Sequence, residues 1–112
     1  MNLAGEALRG HTNAIILSIL AENDSYGYEI NQIIASRSGT GTYLTEPTLY
    51  NAFRRLEQDG CIRSYWMDGI NNTKRKYYSI TEYGKKVLEE HRQEFLETTK
   101  VLNRFLGGKQ DD

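Results

Sequence analysis

The sequence predicts a mainly α fold with a small β-hairpin, α+β in class. Three observations predict it. Before Gly60, apolar residues recur at the i, i+3, i+4 spacing of helices in separate stretches. From Cys61 the period drops to the two-residue alternation of strands. After Thr81 an amphipathic helical pattern runs unbroken to Gly107.

Composition sets the frame for these elements. With 112 residues, 38% hydrophobic and 26% charged, the chain has the size and make-up of one globular unit. No apolar run approaches the roughly 18 residues of a membrane span, and the start lacks a charged-then-apolar leader. The expected location is therefore cytoplasmic, with no membrane partner. One cysteine, Cys61, excludes an internal disulfide, and with His11 and His91 it lacks the spacing of a metal site; no metal and no cofactor are expected. No nucleophile, base and orienting acid stand in a recognised arrangement, so no catalytic residue is assigned and an enzyme is not expected.

In chain order, Met1 to Gly10 offers only Leu3, Ala4, Ala7 and Leu8 at helical spacing, a short leading helix or a frayed arm. Thr12 or Asn13 can cap the next helix, whose Ile15, Ile16, Leu17, Ile19 and Leu20 are apolar nearly all round and so imply burial on several sides. Asp24 or Ser25 then caps a second helix carrying Tyr26, Ile30, Ile33 and Ile34. Tyr26 and Tyr28 are expected to pack rather than to contact phosphates. Ser36 to Thr42 is turn-rich, and Tyr43-Leu44 is expected to lay down a short strand.

The third helix is the most clearly marked. Thr45 or Glu46 can accept from its first N–H groups, Pro47 suits a first turn because it has no N–H to leave unpaired, and Gly60 supplies the stop. Leu49, Ala52, Phe53 and Leu56 form the inner stripe, turning Thr48, Asn51 and Arg55 outward, with Tyr50 and Arg54 nearer the boundary. That outer face is polar, basic and nearly free of acid, which suits hydrogen bonding to phosphates and base edges; an ordinary solvated face is the alternative.

Cys61 to Asp68 alternates, with Ile62, Ser64 and Trp66 on one face and Arg63, Tyr65 and Met67 on the other; Lys76 to Ile80 repeats the pattern. The turn formers Gly69-Ile70-Asn71-Asn72-Thr73 join them into a hairpin, with Lys74, Arg75 and Lys76 at the root of its second strand. Trp66 is expected to anchor the hairpin to the helices. Charge follows the same division. The net charge is only −1, but residues 50 to 78 carry six basic and three acidic side chains, against two and five in residues 1 to 49. A local basic segment in a slightly acidic chain is what a small phosphate-tracking surface requires.

Thr81 caps the last helix, Glu82 to Leu106, nearly 40 Å long at ~1.5 Å per residue. Leu88, Phe95 and Leu102 recur every seven residues, with His91, Thr98 and Phe105 as the alternate row. Three short helices and a hairpin cannot cover such a helix, so a homodimer is expected, with Leu88, Phe95, Leu102 and Phe105 at its interface. The chain divides into residues 1–80, 81–108 and a disordered tail, 109–112.

Two helices, an outward-facing third and then a hairpin is the order of a winged helix-turn-helix domain, here followed by a long C-terminal dimerisation helix. Particular residues narrow the match: Ile16-Leu17-Ser18-Ile19-Leu20, Tyr26-Gly27-Tyr28-Glu29-Ile30, Thr48-Leu49-Tyr50, Arg54 through Gly60, Ser64-Tyr65-Trp66, Arg75-Lys76-Tyr77-Tyr78 and Ile80-Thr81-Glu82-Tyr83-Gly84. Together they resemble the PadR family of transcriptional regulators, in its short branch with a single C-terminal helix that includes multidrug-sensing repressors. The resemblance implies a homodimeric repressor of an inverted-repeat, double-stranded DNA operator. On this chain it places Thr48, Tyr50, Asn51, Arg54 and Arg55 on the reading helix and Lys74, Arg75 and Lys76 on the wing. It also implies an aromatic on the last helix facing its symmetry mate across a ligand-binding pore, where this chain has Phe95 and the branch often has tryptophan; with Glu94 and Glu97 near it in sequence, a small hydrophobic or cationic effector is expected at the dimer axis beside Phe95, with Asn13 and Leu17 as walls. Two Phe95 rings stacking to close the axis is the alternative there. The competing functions are a winged-helix module that binds protein, and a winged-helix repressor of another family.

Overall fold

The computed structural model describes Leu8 and residues 10–108. The expected leading helix, apart from Leu8, and the expected tail at 109–112 lie outside the described residues. The elements run α1 (Thr12–Leu20), β1 (Ser25–Tyr26), α2 (Gly27–Arg37), α3 (Glu46–Gln58), β2 (Ile62–Asp68), a 3-10 turn (Ile70–Asn72), β3 (Lys74–Ile80) and α4 (Glu82–Leu106).

The apolar stripes read from the sequence meet in one core. Ile16, Leu17 and Leu20 of α1, Ile30 of α2, and Leu49, Ala52, Phe53 and Leu56 of α3 are buried against Ile62, Tyr78 and Leu88. Each large apolar side chain so buried contributes about 1.5–3 kcal/mol. Phe53 ties α3 to the sheet by stacking on Tyr78, with ring centroids 4.0 Å apart.

The sheet has three strands, not the expected two. Ser25 and Tyr26 pair antiparallel with Tyr78 and Tyr77, giving the order β1-β3-β2. Ser25 is therefore a strand residue rather than a cap: its hydroxyl donates to Glu29 at 2.5 Å, and α2 starts at Gly27 behind an extended Tyr26. Tyr43-Leu44 forms no strand. Its backbone groups find a side chain instead, with the Leu44 N–H donating to Asn31 Oδ1 (2.8 Å) and Asn31 Nδ2 donating to the Leu44 carbonyl (2.6 Å). At α1 the N-cap is His11, without a side-chain capping bond, and Thr12 lies buried inside the helix.

Trp66 is 64% exposed and does not anchor the hairpin. The β2–β3 ribbon outruns the core, so inner-face positions beyond Ser64 have little packed over them.

A tight junction fixes the direction of α4. Thr81 accepts from the Gly84 N–H (3.0 Å) as N-cap while its hydroxyl donates to the Gly60 carbonyl (2.6 Å), and its own N–H donates to the Cys61 carbonyl (2.9 Å). A Cβ on Gly84 would lie 2.1 Å from that Cys61 oxygen. Only glycine lets the first turn of α4 come so close. From there Gly84, Val87 and Leu88 pack on the core, while Phe95, Leu96, Val101, Leu102, Phe105 and Leu106 project beyond it. The radius of gyration, 16.2 Å, exceeds the ~13 Å of a compact chain of this length for that reason.

Candidate nucleic-acid interface

The presentation of α3 is determined at both ends. Thr45 caps it, its side chain accepting from the Thr48 N–H at 3.4 Å, and Pro47 occupies the first turn. Gly60, at φ +77°, takes the left-handed conformation that turns the chain into β2. The Asn31 side chain holds the segment leading into α3 through the two Leu44 bonds. This positioning residue escaped the sequence reading, because a polar residue inside a helix carries no signal of a partner 13 residues on.

All five outer residues of α3 are exposed, but they are not equivalent. Arg54 donates to Asn51 Oδ1, and this pair points away from the core. The Thr48 hydroxyl accepts from Thr45 Oγ1 at 2.9 Å. Arg55 leans toward α1, its guanidinium donating to Asn13 Oδ1 at 3.5 Å. Tyr50 leans the other way. It lies over Gly27, where a Cβ would come within 2.9 Å of its hydroxyl, and meets the edge of Phe53 at 5.6 Å, so half of the ring serves packing. The Tyr26-Gly27-Tyr28 and Thr48-Leu49-Tyr50 motifs are thus two sides of one contact.

The three basic residues expected on the wing stand in three different states. Lys74 is exposed. Arg75 lies 4.6 Å from the centroid of the Tyr26 ring and donates to its hydroxyl at 3.2 Å. Lys76 turns back toward α3, 3.9 Å from Glu57, whose carboxylate also accepts from Ser64 at 3.0 Å. Glu57 therefore removes part of the positive charge read for the wing.

The face of the sheet away from the helices bears a row the sequence did not reveal: Tyr26, Tyr77 and Tyr65, with centroid spacings of 5.2 and 5.8 Å. Pairing of Tyr77 with both neighbours in register would have shown it, had β1 been read as a strand. Tyr65 donates to Asp24 at 2.6 Å, and that hydrogen bond holds its phenol above the ordinary range. Tyr26 packs as expected, whereas Tyr28 is 67% exposed and accepts from Gln32. Tyr78 is pushed up to about 12 by burial, with Glu57 and Tyr50 adding to it. Burial, then Asp59, likewise raises the Cys61 thiol, which disfavours its thiolate.

On α4, Leu88 is 3% exposed within its own chain, where it closes the core, and leaves little surface for a second copy. Phe95, Leu102 and Phe105 are 51%, 48% and 80% exposed. Phe95 meets the edge of His11 at 6.0 Å and lines a recess of about 260 Å³ with His91, Glu94, Thr98 and Leu102. Asn13 and Leu17, read as walls beside Phe95, line a neighbouring recess of about 240 Å³ with Arg55 and Val87; Gly10 and His91 border both.

Among the described residues no helix is long and apolar enough to cross a membrane. A helical head whose third helix turns a polar, acid-poor face outward, a β-ribbon beside it and a long helix leaving the domain defines a winged helix-turn-helix protein of the DNA-binding regulatory class. The chain belongs to the PadR-like family of transcriptional regulators, whose pattern matches residues 16–90. It is similar to a transcriptional regulator from Clostridium thermocellum, at 42% identity over 91% of this chain and 96% of that one, with a TM-score of 0.84. It is also similar to a PadR family transcription regulator from Clostridium difficile R20291, at 39% identity over 87% and 99% of the two chains and a TM-score of 0.77. An uncharacterized protein from Lysinibacillus sphaericus is 41% identical over 103 residues, 92% of this chain and 94% of its own.

Proposed function

We propose that this PadR-family regulator is a homodimeric repressor that occupies an inverted-repeat operator. In this reading α3 enters the major groove with Asn51 and Arg54 foremost and Thr48, Tyr50 and Arg55 at its flanks. Lys74 and Arg75, and more weakly Lys76, follow the adjacent backbone, and α4 joins two chains through Phe95, Leu102 and Phe105. The observation that carries the proposal is the exposed apolar side of α4, with Phe95, Leu102, Phe105 and Leu106 each about half exposed or more. So contiguous an apolar surface calls for a partner, and a second copy supplies the second reading helix that a two-fold operator needs.

A flat hydrophobic or cationic effector fits the Phe95 recess, where Glu94 supplies negative charge and the ring a stacking face. It would release DNA only by binding more tightly to a dimer whose reading helices are wrongly spaced, since equal affinity for both forms shifts nothing. The test is transcription in vitro from a promoter carrying the bound site. The transcript should fall as protein is added and recover with a planar cation in the wild type but not in Phe95→Ala. A transcript that rises with protein would make the chain an activator, and identical recovery in Phe95→Ala would put the effector elsewhere.

A further inference from the structure

The two histidines of the described chain, 80 residues apart in sequence, meet. His11 Nδ1 and His91 Nε2 are 3.1 Å apart, with the rings at 87° to one another. His11 sits at the N-cap of α1 without using its side chain for capping, and His91 stands on α4 just past Leu88, so the pair bridges the head and the long helix.

We infer that His11 and His91 form a two-imidazole site for a late first-row transition-metal ion, which would clip α1 to α4. The spacing suits it once both rings tilt: centroids 5.4 Å apart with nitrogens 3.1 Å apart set the rings head-on, and each must turn by about 40° to aim its lone pair at a shared ion. With metal–nitrogen bonds of 2.0–2.1 Å, nitrogens 3.1 Å apart subtend about 95–100° at the ion, between the square-planar and tetrahedral angles. Imidazole is the side chain that copper, nickel and zinc share as a ligand. Glu94, one turn along α4, lines the same recess and places negative charge beside the ion. Among the described residues no third His, Cys, Asp or Glu joins the pair in a metal-binding group, so water completes the shell, and the recess of about 260 Å³ has room for it.

Without metal, one ring donates its N–H to the other. On binding, that proton moves through solvent to the far nitrogen of its own ring, freeing a lone pair on each ligand atom.

The test uses the untagged full chain, stripped with chelator and titrated with Cu(II), the strongest binder of the series. Calorimetry should give one saturable ion per chain, and electron paramagnetic resonance should show hyperfine coupling to two imidazole nitrogens. His91→Gln and His11→Asn should each weaken binding at least about tenfold, as loss of a ligand should cost no less than loss of a supporting residue. Asparagine is a favoured N-cap residue, so His11→Asn keeps α1 intact. Zn(II) should raise the melting temperature of the wild type and leave that of either variant unmoved. Affinity or melting shift unchanged in either variant, or a spectrum without two imidazole nitrogens, overturns the assignment.

Discussion

Replacing Leu102 with Glu should separate two chains without unfolding either. Leu102 is 48% exposed in the single chain, so about half of the ~1.5–3 kcal/mol that full burial of a leucine brings is left for a partner to supply. In a symmetric dimer both copies lose it, and a carboxylate in an apolar seam adds a desolvation cost on each side. A combined loss of at least about 3 kcal/mol raises the dissociation constant roughly 100-fold or more, at about 1.4 kcal/mol per decade. Folding of the separated chain should shift by no more than about 0.5 kcal/mol, as expected for a surface position. Leu88→Ala is the contrasting variant. That side chain is buried in its own core, and its loss should cost ~2–5 kcal/mol of folding stability. Sedimentation across a concentration series, with urea unfolding of the same samples, reads both quantities. A Leu102→Glu protein with the wild-type dimer constant, or a wild type that is monomeric at every concentration, refutes the reasoning.

The remaining expectations concern DNA and pH. Lys74→Ala with Arg75→Ala should flatten the slope of log K against log salt by about one to two, at ~0.9 per phosphate contact, while Lys76→Ala should change it by less because Glu57 already faces that amine; a larger Lys76 effect would contradict the charge distribution seen here. Asn51→Ala and Arg54→Ala should each cost ~1–3 kcal/mol at one base position per half-site, and equal weakening on specific and random duplexes would count against direct readout. Tyr78 has its phenol raised in the fold, so the stability this represents is fully present below pH 10 and is lost as pH rises through about 12. The loss is on the order of 2–3 kcal/mol, and it should vanish from the pH profile of urea unfolding in Tyr78→Phe. Gly84→Ala should destabilise by at least about 1–3 kcal/mol, because its Cβ meets a backbone oxygen that cannot rotate away; a neutral effect would mean that the α4 junction is looser than described.

Those variants fall where sequence and structure agree to different degrees, for physical reasons. Helix α3 was legible in full because its ends are chemically marked by Thr45, Pro47 and Gly60 and its stripe is regular. Strand β1 was not, since two residues show no period and Ser25-Tyr26 owes its state to pairing with Tyr78 and Tyr77 far along the chain. Alternation placed Trp66 on the inner face of the hairpin but could not say how far the core extends beneath that face. The same limit explains Leu88 and Leu102: a seven-residue repeat puts them on one side of α4, and only the packed fold shows that one is spent on its own chain. Asn31, Glu57 and the His11–His91 pair all act through partners distant in sequence, which no local pattern encodes.

The most direct test of a dimeric, operator-reading regulator is selection of bound sequences from random duplex DNA. The predicted result is an inverted repeat with half-site centres about one helical turn, ~34–36 Å, apart, lost in Leu102→Glu and degraded at one position per half-site in Asn51→Ala. Recovery of no enriched sequence, or of a single unrepeated half-site bound equally well by Leu102→Glu, would contradict it.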